Sequence, residues 1–310
     1  MFKEKYNAVY ASEIADYLKK QLTGDNIEIH SFKDINNIED NSVVCVLKQI
    51  HNIETLKWID DNYNNILIIT DIENKFSLIK NSYIFTQFAF QDFLKIIKFF
   101  FAEKEEIYSI LSTETINKNA ILDKNIFIGY NVIIGEDVIV GSETKIMHNT
   151  VIMGKVKIGN NCLIKSNTLI GSLGFVYNFE NKNEFEVMPQ LGGIEIKNNV
   201  LIGSNNSIEI GFIGNTLLEE NVKIDDLVQI GSNAIIKRNT IIAAGSVICR
   251  NVIIGENCWI APKVCIKENV LIGDNCIIGM GSVVINNIPD NSVVVGVPGK
   301  IIKSNKNIKD

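Results

Sequence analysis

Few side chains in this sequence carry obvious catalytic chemistry, and histidine is the scarcest of them. The chain has only 3 His among 310 residues, and His148 is the one outside the N-terminal third. Histidine titrates near neutral pH and is the commonest general base. A lone histidine does not favour a zinc site built from three His ligands. His148 is therefore a candidate base or an ordinary solvated side chain, and the second interpretation is favoured.

The cysteines predict a reduced protein with no metal centre. The 6 Cys stand at positions 45, 162, 249, 258, 265 and 276, without a C-x-x-C pair. This spacing is not typical of zinc ligands or of a disulfide framework. Cys162, Cys258 and Cys276 occupy a compact position in the pattern described next, which predicts free thiols packed in a core. No metal and no permanently bound cofactor is predicted.

An aliphatic residue returns every six positions over much of the chain, a period that fits neither a helix nor a flat strand. The stretch NVIIGEDVIVGSETKIMHNTVIMGKVKIG, residues 131–159, shows it. One phase runs from Leu122 to Ile170 and another from Ile224 to Val284. Gly and Asn cluster between the repeats, where tight corners need them. Three repeats predict one triangular coil of about 18 residues, and stacked coils predict a parallel β-helix.

The repeat divides the chain into three parts. Residues 1–112 lack it and predict a small α/β domain, with a helix in SEIADYLKKQLTGD capped by Ser12 and stopped by Gly24. Buried strands are predicted in SVVCVL, NILIIT and SYIFT. Residues 113–288 are predicted to form the β-helix, with an inserted loop at 171–193. Residues 289–310 form a C-terminal tail.

Composition and charge indicate which kinds of partner the protein can bind. The net charge is −6, and no concentrated basic run precedes the tail, which does not favour nucleic-acid binding. No apolar run approaches the roughly 20 residues of a membrane span. The N-terminus lacks the apolar core of a signal peptide. A cytoplasmic protein without a membrane span is expected.

The inserted loop, GSLGFVYNFENKNEFEVMPQLGG, is rich in aromatic residues. Long loops on rigid scaffolds often carry function. The loop is predicted to form one wall of a ligand cleft, and the alternative is a cap over the apolar prism.

This loop and its flanks, LIGSLGFVYNF…VMPQLGGIEIKNNVLIGSNNSIEIG…VKIDDLVQIGSNAII, resemble the UDP-3-O-acylglucosamine N-acyltransferases of lipid A synthesis. The segments EIADYLKKQLTGDNIEIHSFKDINNIEDNSVVCVL and FAFQDFLKIIKFFF are similar to that family's N-terminal domain and linking helix. The resemblance covers most of the chain. It implies a mainly β fold, a left-handed parallel β-helix with a small α/β domain, and a homotrimer with clefts between subunits. It also implies that Phe175, Tyr177, Phe179 and Gln190 contact a nucleotide-linked sugar.

Three features depart from the family pattern. Ser232, in QIGSNAI, stands where the family has its catalytic His, and Asn269 stands near the place of a second. Cys45 and His51 stand where the family stacks uracil between aromatic rings. The ending IPDNSVVVGVPGKIIK replaces a helical extension that engages acyl carrier protein. It is similar to the ending of acyl-CoA-dependent N-acyltransferases of nucleotide-linked amino sugars.

Together these resemblances imply a sugar N-acyltransferase for surface polysaccharide synthesis. It would move a short acyl group from acyl-CoA, as co-substrate, to an amino sugar such as a dTDP-3-amino-3,6-dideoxyhexose. One alternative is UDP-3-O-acylglucosamine N-acylation from acyl carrier protein. The other is a non-catalytic scaffold or ligand sensor built on the same coil.

The catalytic residues then have to work without the family's histidine. The pKa of a sugar amine is about 8, so a useful fraction of the amine is neutral at pH 7. Glu209, Asp225 and Asp226 are the candidate proton acceptors, and Ser232 and Asn233 are expected to orient the amine.

The resemblance to CoA-dependent enzymes also implies an acyl-CoA site. Backbone N–H groups of residues 243–246 are expected to stabilise the oxyanion. The expected cofactor-binding residues are Ala244, Gly245, Ser246, Gly279, Gly281, Ser282, Pro298 and Lys300.

Overall fold

The computed structural model describes residues 8–33, 35, 38–73, 80–101, 115–178 and 186–304. The chain divides into two compact units, residues 1–106 and residues 107–310. Within the described part of the chain, no helix is long and apolar enough to cross a lipid bilayer.

The first unit is a small α/β fold. Its elements are β1 (Val9–Tyr10), α1 (Ala11–Leu18), β2 (Leu22–Thr23), β3 (Glu28–Ile29), β4 (Ser31–Phe32), β5 (Ser42–Val46), α2 (Ile53–Asn62), β6 (Leu67–Thr70), β7 (Ser82–Phe85), α3 (Ala89–Ile96) and a π-helical turn (Ile97–Phe101). Strands β2, β7, β6, β5 and β4 form one sheet in that order, and β1 pairs with β3. The three predicted buried strands are confirmed as β5, β6 and β7.

The aliphatic runs explain this sheet, because strands buried on both faces need apolar residues at every position. Val43, Val44 and Ile68 are 0% exposed. Helix α1 differs from its predicted bounds. The Glu13 carboxylate accepts a hydrogen bond from the Tyr10 N–H (2.8 Å), which starts the helix before Ser12. The helix stops where Lys19 turns left-handed (φ 54°), well before Gly24.

The second unit is built from short strands. They are β8 (Ile121–Leu122), β9 (Phe127–Ile128), β10 (Ile133–Ile134), β11 (Val138–Val140), β12 (Lys145–Ile146), β13 (Val151–Ile152), β14 (Val156–Ile158), β15 (Leu163–Ile164), β16 (Leu169–Ser172), β17 (Tyr177–Asn178), β18 (Glu186–Val187), β19 (Gly193–Ile196), β20 (Leu201–Ile202), β21 (Ser207–Glu209), β22 (Asn215–Leu218), β23 (Lys223–Ile224), β24 (Gln229–Ile230), β25 (Ile235–Ile236), β26 (Ile241–Ile242), β27 (Val247–Ile248), β28 (Ile253–Ile254), β29 (Trp259–Ile260), β30 (Cys265–Ile266), β31 (Leu271–Ile272), β32 (Ile277–Ile278), β33 (Val283–Val284), β34 (Ser292–Val295) and β35 (Lys300–Ser304).

All of these strands except β17 and β18 form the three faces of a left-handed parallel β-helix, as predicted. The first face runs β8-β11-β14-β19-β22-β25-β28-β31, the second runs β9-β12-β15-β20-β23-β26-β29-β32-β34-β35, and the third runs β10-β13-β16-β21-β24-β27-β30-β33. Residues one coil apart pair in parallel, as Ile133 does with Val151. Two insertions lengthen single coils, so that Leu163 pairs with Leu201 and Leu201 with Lys223.

The inserted loop leaves the coil at Gly171. This residue has φ +104°, and an added Cβ would come within 1.8 Å of the Met153 carbonyl oxygen. Only glycine fits this close approach of two backbones. Beyond it, β17 pairs antiparallel with β18 to form a short hairpin within the loop.

Isoleucine fills the prism, and the compact inward position holds small side chains. Buried hydroxyls there are fully bonded, as buried polar groups require. Thr240 Oγ1 donates to the Gly255 carbonyl (2.7 Å) and accepts the Cys258 N–H of the next coil (3.0 Å). Cys162, Cys258 and Cys276 are buried at this position as predicted, and all six cysteines are free.

Asparagine closes many corners, because its backbone tolerates the left-handed conformation. Asn221, Asn239 and Asn257 have φ of 61°, 58° and 55°. The Asn221 Nδ2 donates to Asn239 Oδ1 (2.9 Å), and the Asn239 Nδ2 donates to Asn257 Oδ1 (3.2 Å). These three residues form an asparagine ladder along one edge of the prism.

The C-terminal segment stays on the prism. Ile277 pairs in parallel with Val293, and β35 then returns antiparallel along β34. The last strands of this sheet are therefore a hairpin rather than another coil.

Candidate active site

Corners of successive coils stack on one another through backbone hydrogen bonds. The end of the third face and the corner that follows it hold Glu209, Ser232 and Arg250 in three consecutive coils. We call this region the Ser232 corner. The Asn251 N–H donates to the Ser232 carbonyl (2.9 Å), and the Gly231 N–H donates to the Ile248 carbonyl (2.8 Å).

Glu209 and Ser232 form the polar centre of this corner. One carboxylate oxygen of Glu209, Oε2, accepts both the Ser232 N–H (3.0 Å) and the Ser232 hydroxyl (3.1 Å). The other oxygen, Oε1, accepts from Gln229 Nε2 (3.1 Å). Ser232 is only 2% exposed, whereas Glu209 is half-buried. The serine thus holds the carboxylate in a fixed position.

The inserted loop lies directly over this pair. Gln190 pins the loop, since its Oε1 accepts the Gly174 N–H (2.8 Å) and its Nε2 donates to the Gly174 carbonyl (2.7 Å). A Cβ on Gly174 would come within 2.0 Å of Ser232 Oγ and 2.7 Å of Glu209 Oε2. Glycine at this position is what lets the loop contact the serine and the carboxylate.

A cavity of about 130 Å³ opens beside the loop and the carboxylate. Its lining residues are Phe175, Val176, Glu209, Gln229, Gly231, Ser232, Val247, Cys249 and Arg250. Phe175 is 80% exposed and makes an edge contact with Tyr177, with ring centroids 4.5 Å apart. Phe179, also predicted at the substrate, lies outside the described residues.

Cys249 is the one thiol on the cavity wall among the described residues. Burial raises the pKa of this thiol, and the neighbouring Cys265 and Glu268 add to the effect. A raised pKa lowers the fraction of thiolate, which is the reactive form. Cys249 therefore contributes an apolar wall and not a nucleophile.

Asn233 and Gln190 are bound more tightly to the protein than the sequence predicts. Asn233 Oδ1 accepts the Phe212 N–H (2.7 Å), and its N–H donates to Thr216 Oγ1 (2.9 Å). Both residues hold backbone in place, so the roles predicted for them, orienting the amine and contacting the sugar, remain predictions that this geometry does not favour.

Asp225 and Asp226 lie at a different corner, the one that follows the second face. The Asp226 Oδ1 accepts the Ser204 N–H (2.6 Å) and lies 3.7 Å from Lys165 Nζ. Asp225 is exposed. They are adjacent to Ser232 in sequence, but one strand of the third face separates the two corners.

The residues predicted to bind acyl-CoA share this second corner. The Gly245 N–H donates to the Asp226 carbonyl (3.0 Å), and the Ala243 N–H donates to the Ile260 carbonyl (2.8 Å). These two N–H groups are already used in stacking the coils, which corrects the expectation that they face an oxyanion. Ser246 Oγ is buried against the Ala243 and Ala261 carbonyls, at 2.9 and 3.2 Å.

The remaining predicted acyl-CoA residues lie at the C-terminal end of the prism. The Gly279 N–H donates to the Val294 carbonyl and the Gly281 N–H to the Pro262 carbonyl. Ser282 Oγ is buried and accepts the Gly296 N–H (3.1 Å). Pro298 and Lys300 follow in the terminal hairpin, with Lys300 exposed. This group does not line the cavity.

His148 also follows the second face, several coils earlier. Its Nδ1 accepts the Tyr130 N–H (2.9 Å), and its ring stacks on Tyr130 with centroids 5.6 Å apart. The ring thus supports a corner, and the interpretation of His148 as a structural residue agrees with this geometry. Within the described residues, no group of three or more His, Cys, Asp or Glu is placed to hold a metal ion.

Six cavity residues were not predicted from the sequence: Val176, Gln229, Gly231, Val247, Cys249 and Arg250. The repeat itself contains the signal for Arg250, because one coil after Ser232 is residue 250. Sequence reasoning followed the corner that resembles acyl-CoA enzymes and passed over this one.

Residues 137–172, 215–250 and 251–286 match the bacterial transferase hexapeptide (six repeats) family. All three matched segments lie within the β-helix. A segment of the chain is 47% identical over 75 residues to the UDP-3-O-acylglucosamine N-acyltransferase of Methylacidiphilum infernorum, covering 24% of this chain and 21% of that one. The Shewanella denitrificans enzyme of the same name is 43% identical over 79 residues, 26% of this chain and 23% of that one. The matched segment thus spans less than a quarter of these relatives.

Solved hexapeptide-repeat structures show the same fold. LpxA from Acinetobacter baumannii superposes with a TM-score of 0.56 at 23% identity, covering 62% of this chain and 74% of that chain. The UDP-N-acetylglucosamine acyltransferase of Bacteroides fragilis gives 0.54 at 22% identity, covering 63% and 75%. At such identity the likeness concerns the fold alone.

Proposed function

We propose that the protein transfers an acyl group from a thioester to the amine of a UDP-linked glucosamine derivative. The observation that carries this proposal is a half-buried carboxylate, Glu209, fixed by Ser232 and facing a cavity beneath the inserted loop. The 47% identity over 75 residues to a UDP-3-O-acylglucosamine N-acyltransferase supports the choice of acceptor.

The relatives favour the UDP-linked acceptor over the dTDP-3-amino-3,6-dideoxyhexose first expected from the sequence. For the donor we propose acyl carrier protein in place of acyl-CoA. The residues expected to bind acyl-CoA stand at another corner, and two of the N–H groups expected there are bonded within the coil. Both donors present the same phosphopantetheine thioester, so a direct comparison separates them.

The proposed reaction needs a neutral amine, a held thioester and a proton acceptor. A carboxylate has about four lone-pair sites, and the Ser232 N–H, the Ser232 hydroxyl and Gln229 fill three of them. The fourth can accept the amine. The amine nitrogen attacks the thioester carbon, Glu209 takes a proton from the nitrogen, and the C–S bond breaks as the thiolate leaves and is protonated. Alignment of the reactants supplies much of the acceleration.

The test is a thiol-release assay with four substrate pairs. UDP-3-O-acylglucosamine and a dTDP-3-amino-3,6-dideoxyhexose are each combined with acyl carrier protein and with acyl-CoA donors. We expect turnover with the UDP sugar and the carrier-protein donor. Turnover only with the dTDP sugar and acyl-CoA would support the function first expected from the sequence, acyl-CoA-dependent N-acylation of a dTDP-linked amino sugar. No turnover with any pair would favour the scaffold or sensor.

The rate is expected to rise with pH through an ionisation of the substrate amine, near pH 8. The protonated amine cannot attack, so activity is lost as the pH falls below that value. His148→Ala should keep the same profile, because its Nδ1 serves the Tyr130 N–H at a different corner. The measurement is kcat against pH for both proteins and for two acceptors with different amine pKa values. If His148→Ala abolishes turnover in a folded protein, His148 is the base.

We expect the protein to be a homotrimer. The outer faces of the prism expose apolar side chains, including Ile133 (41%), Trp259 (46%) and Leu227 (64%), which water disfavours. Light scattering at micromolar concentration should give three times the chain mass of 34.7 kDa. A stable monomer would contradict the trimer and any site that depends on it.

A further inference from the structure

We infer that Arg250 binds a phosphate group of the acceptor, the one attached to the carbon next to the amine-bearing carbon. The inference rests on the proposed function and adds to it a side chain that holds the acceptor's phosphate.

Arg250 stands one coil beyond Ser232 on the same corner. At this corner the two coils are joined by the hydrogen bond from the Asn251 N–H to the Ser232 carbonyl (2.9 Å). Arg250 lines the cavity together with Glu209. The cavity therefore has a carboxylate at one position and a guanidinium at another, with the buried Ser232 between their coils.

Glu209 and Arg250 differ in how many hydrogen-bond or ion-pair partners they already have within the protein. Glu209 is held by Ser232 and Gln229, and no ion pair joins Arg250 to any acidic group in the part of the chain that the structure describes. The other arginine of this region, Arg238, lies 3.5 Å from Glu256 Oε1 and 3.9 Å from Glu219 Oε2. Arg250 is exposed and its planar donors suit the oxygens of a phosphate.

The cavity is an open pocket with both charged side chains in its lining. One ligand that carries an amine and a phosphate close together can therefore contact both. In the proposed acceptor the amine and the anomeric phosphate sit on adjacent carbons. The amine then meets Glu209 and the phosphate meets Arg250.

The phosphopantetheine arm of the donor also carries a phosphate, and it is the competing source for the same contact.

The test is calorimetric binding of two probes, UDP-glucosamine and coenzyme A, to the full chain. Arg250→Gln should weaken UDP-glucosamine binding at least about tenfold, as expected for loss of a charge-assisted hydrogen bond, and Arg250→Lys should restore part of it. Lys267→Gln is the matched control, since it removes a positive charge from the next coil of the corner without touching the cavity. The affinity of Lys267→Gln for UDP-glucosamine should equal that of the wild type.

Two results would overturn the inference. Equal affinity of Arg250→Gln and wild type for UDP-glucosamine would show that Arg250 does not contact the acceptor. Weaker coenzyme A binding with unchanged UDP-glucosamine binding would show that Arg250 contacts the phosphate of the donor instead. If the wild type binds no UDP-glucosamine at all, the proposed function fails along with the inference. Circular dichroism of each variant checks that the β-helix is intact.

Discussion

Replacement of Glu209 by Gln is expected to lower kcat by about 10²–10⁴-fold, the range of general-base effects. Glutamine keeps the shape of the side chain, and its carbonyl oxygen can still accept both hydrogen bonds from Ser232, while its NH2 group replaces the oxygen that accepts from Gln229. It cannot take a proton from the amine at neutral pH. Steady-state kinetics with the best substrate pair measures the effect, and a thermal melt shows whether the fold survives.

Asp226→Asn is the matched control for this experiment. It changes the same chemical group on the neighbouring corner, where Asp226 accepts the Ser204 N–H. Its effect on kcat should be much smaller than that of Glu209→Gln. A loss as large as that of Glu209→Gln would mean that the catalytic carboxylate lies at the second corner, and the site described above would be wrong.

Gly174→Ala should lower kcat/KM by about 10²-fold, because the reacting groups would be displaced by about an ångström. The new methyl group would overlap Ser232 Oγ, 2.0 Å away, and Glu209 Oε2, 2.7 Å away. The loop is pinned by Gln190, so it cannot move freely to make room. The serine, the carboxylate or the loop must shift, and each shift disturbs the cavity.

Gly214→Ala is the control for this loss. Its added Cβ would meet only Asn233 Nδ2, at an ordinary contact distance of 3.4 Å. Activity should stay near that of the wild type, and a thermal melt of each variant shows whether the fold is intact. Full activity of Gly174→Ala would show that the loop is not closed over Glu209 during turnover.

The sequence predicted the β-helix because each coil repeats one simple requirement, an inward aliphatic residue at a fixed interval. It did not predict the pairing of Glu209 with Ser232, which lie 23 positions apart. A short insertion at residues 211–214 lengthens that coil, so counting whole repeats misaligns the two residues. Asp225 and Asp226 appeared equally suitable for the same reason, although a strand separates their corner from Ser232.

The predicted oxyanion donors illustrate a second limit. The glycine-containing corner at residues 243–246 has the composition of a ligand-binding turn, but regular stacking uses the Ala243 and Gly245 N–H groups. The stacking of the coils thus commits these two backbone donors before any ligand arrives. Side chains that line the cavity, such as Glu209 and Arg250, are better indicators of a site than corner glycines.

We expect the asparagine ladder to influence how this protein ages. Asparagine is a thermolabile residue that slowly loses its amide and becomes an acid. Conversion of Asn239 would remove the donor that serves Asn257 Oδ1 and place a negative charge one strand spacing, about 4.8 Å, from its neighbours in the ladder. A second conversion next to the first would stack two like charges, which strands tolerate poorly. Chemical damage would thus accumulate along one edge of the prism, and the storage life of the protein would depend on the deamidation rate of that row as well as on its folding free energy.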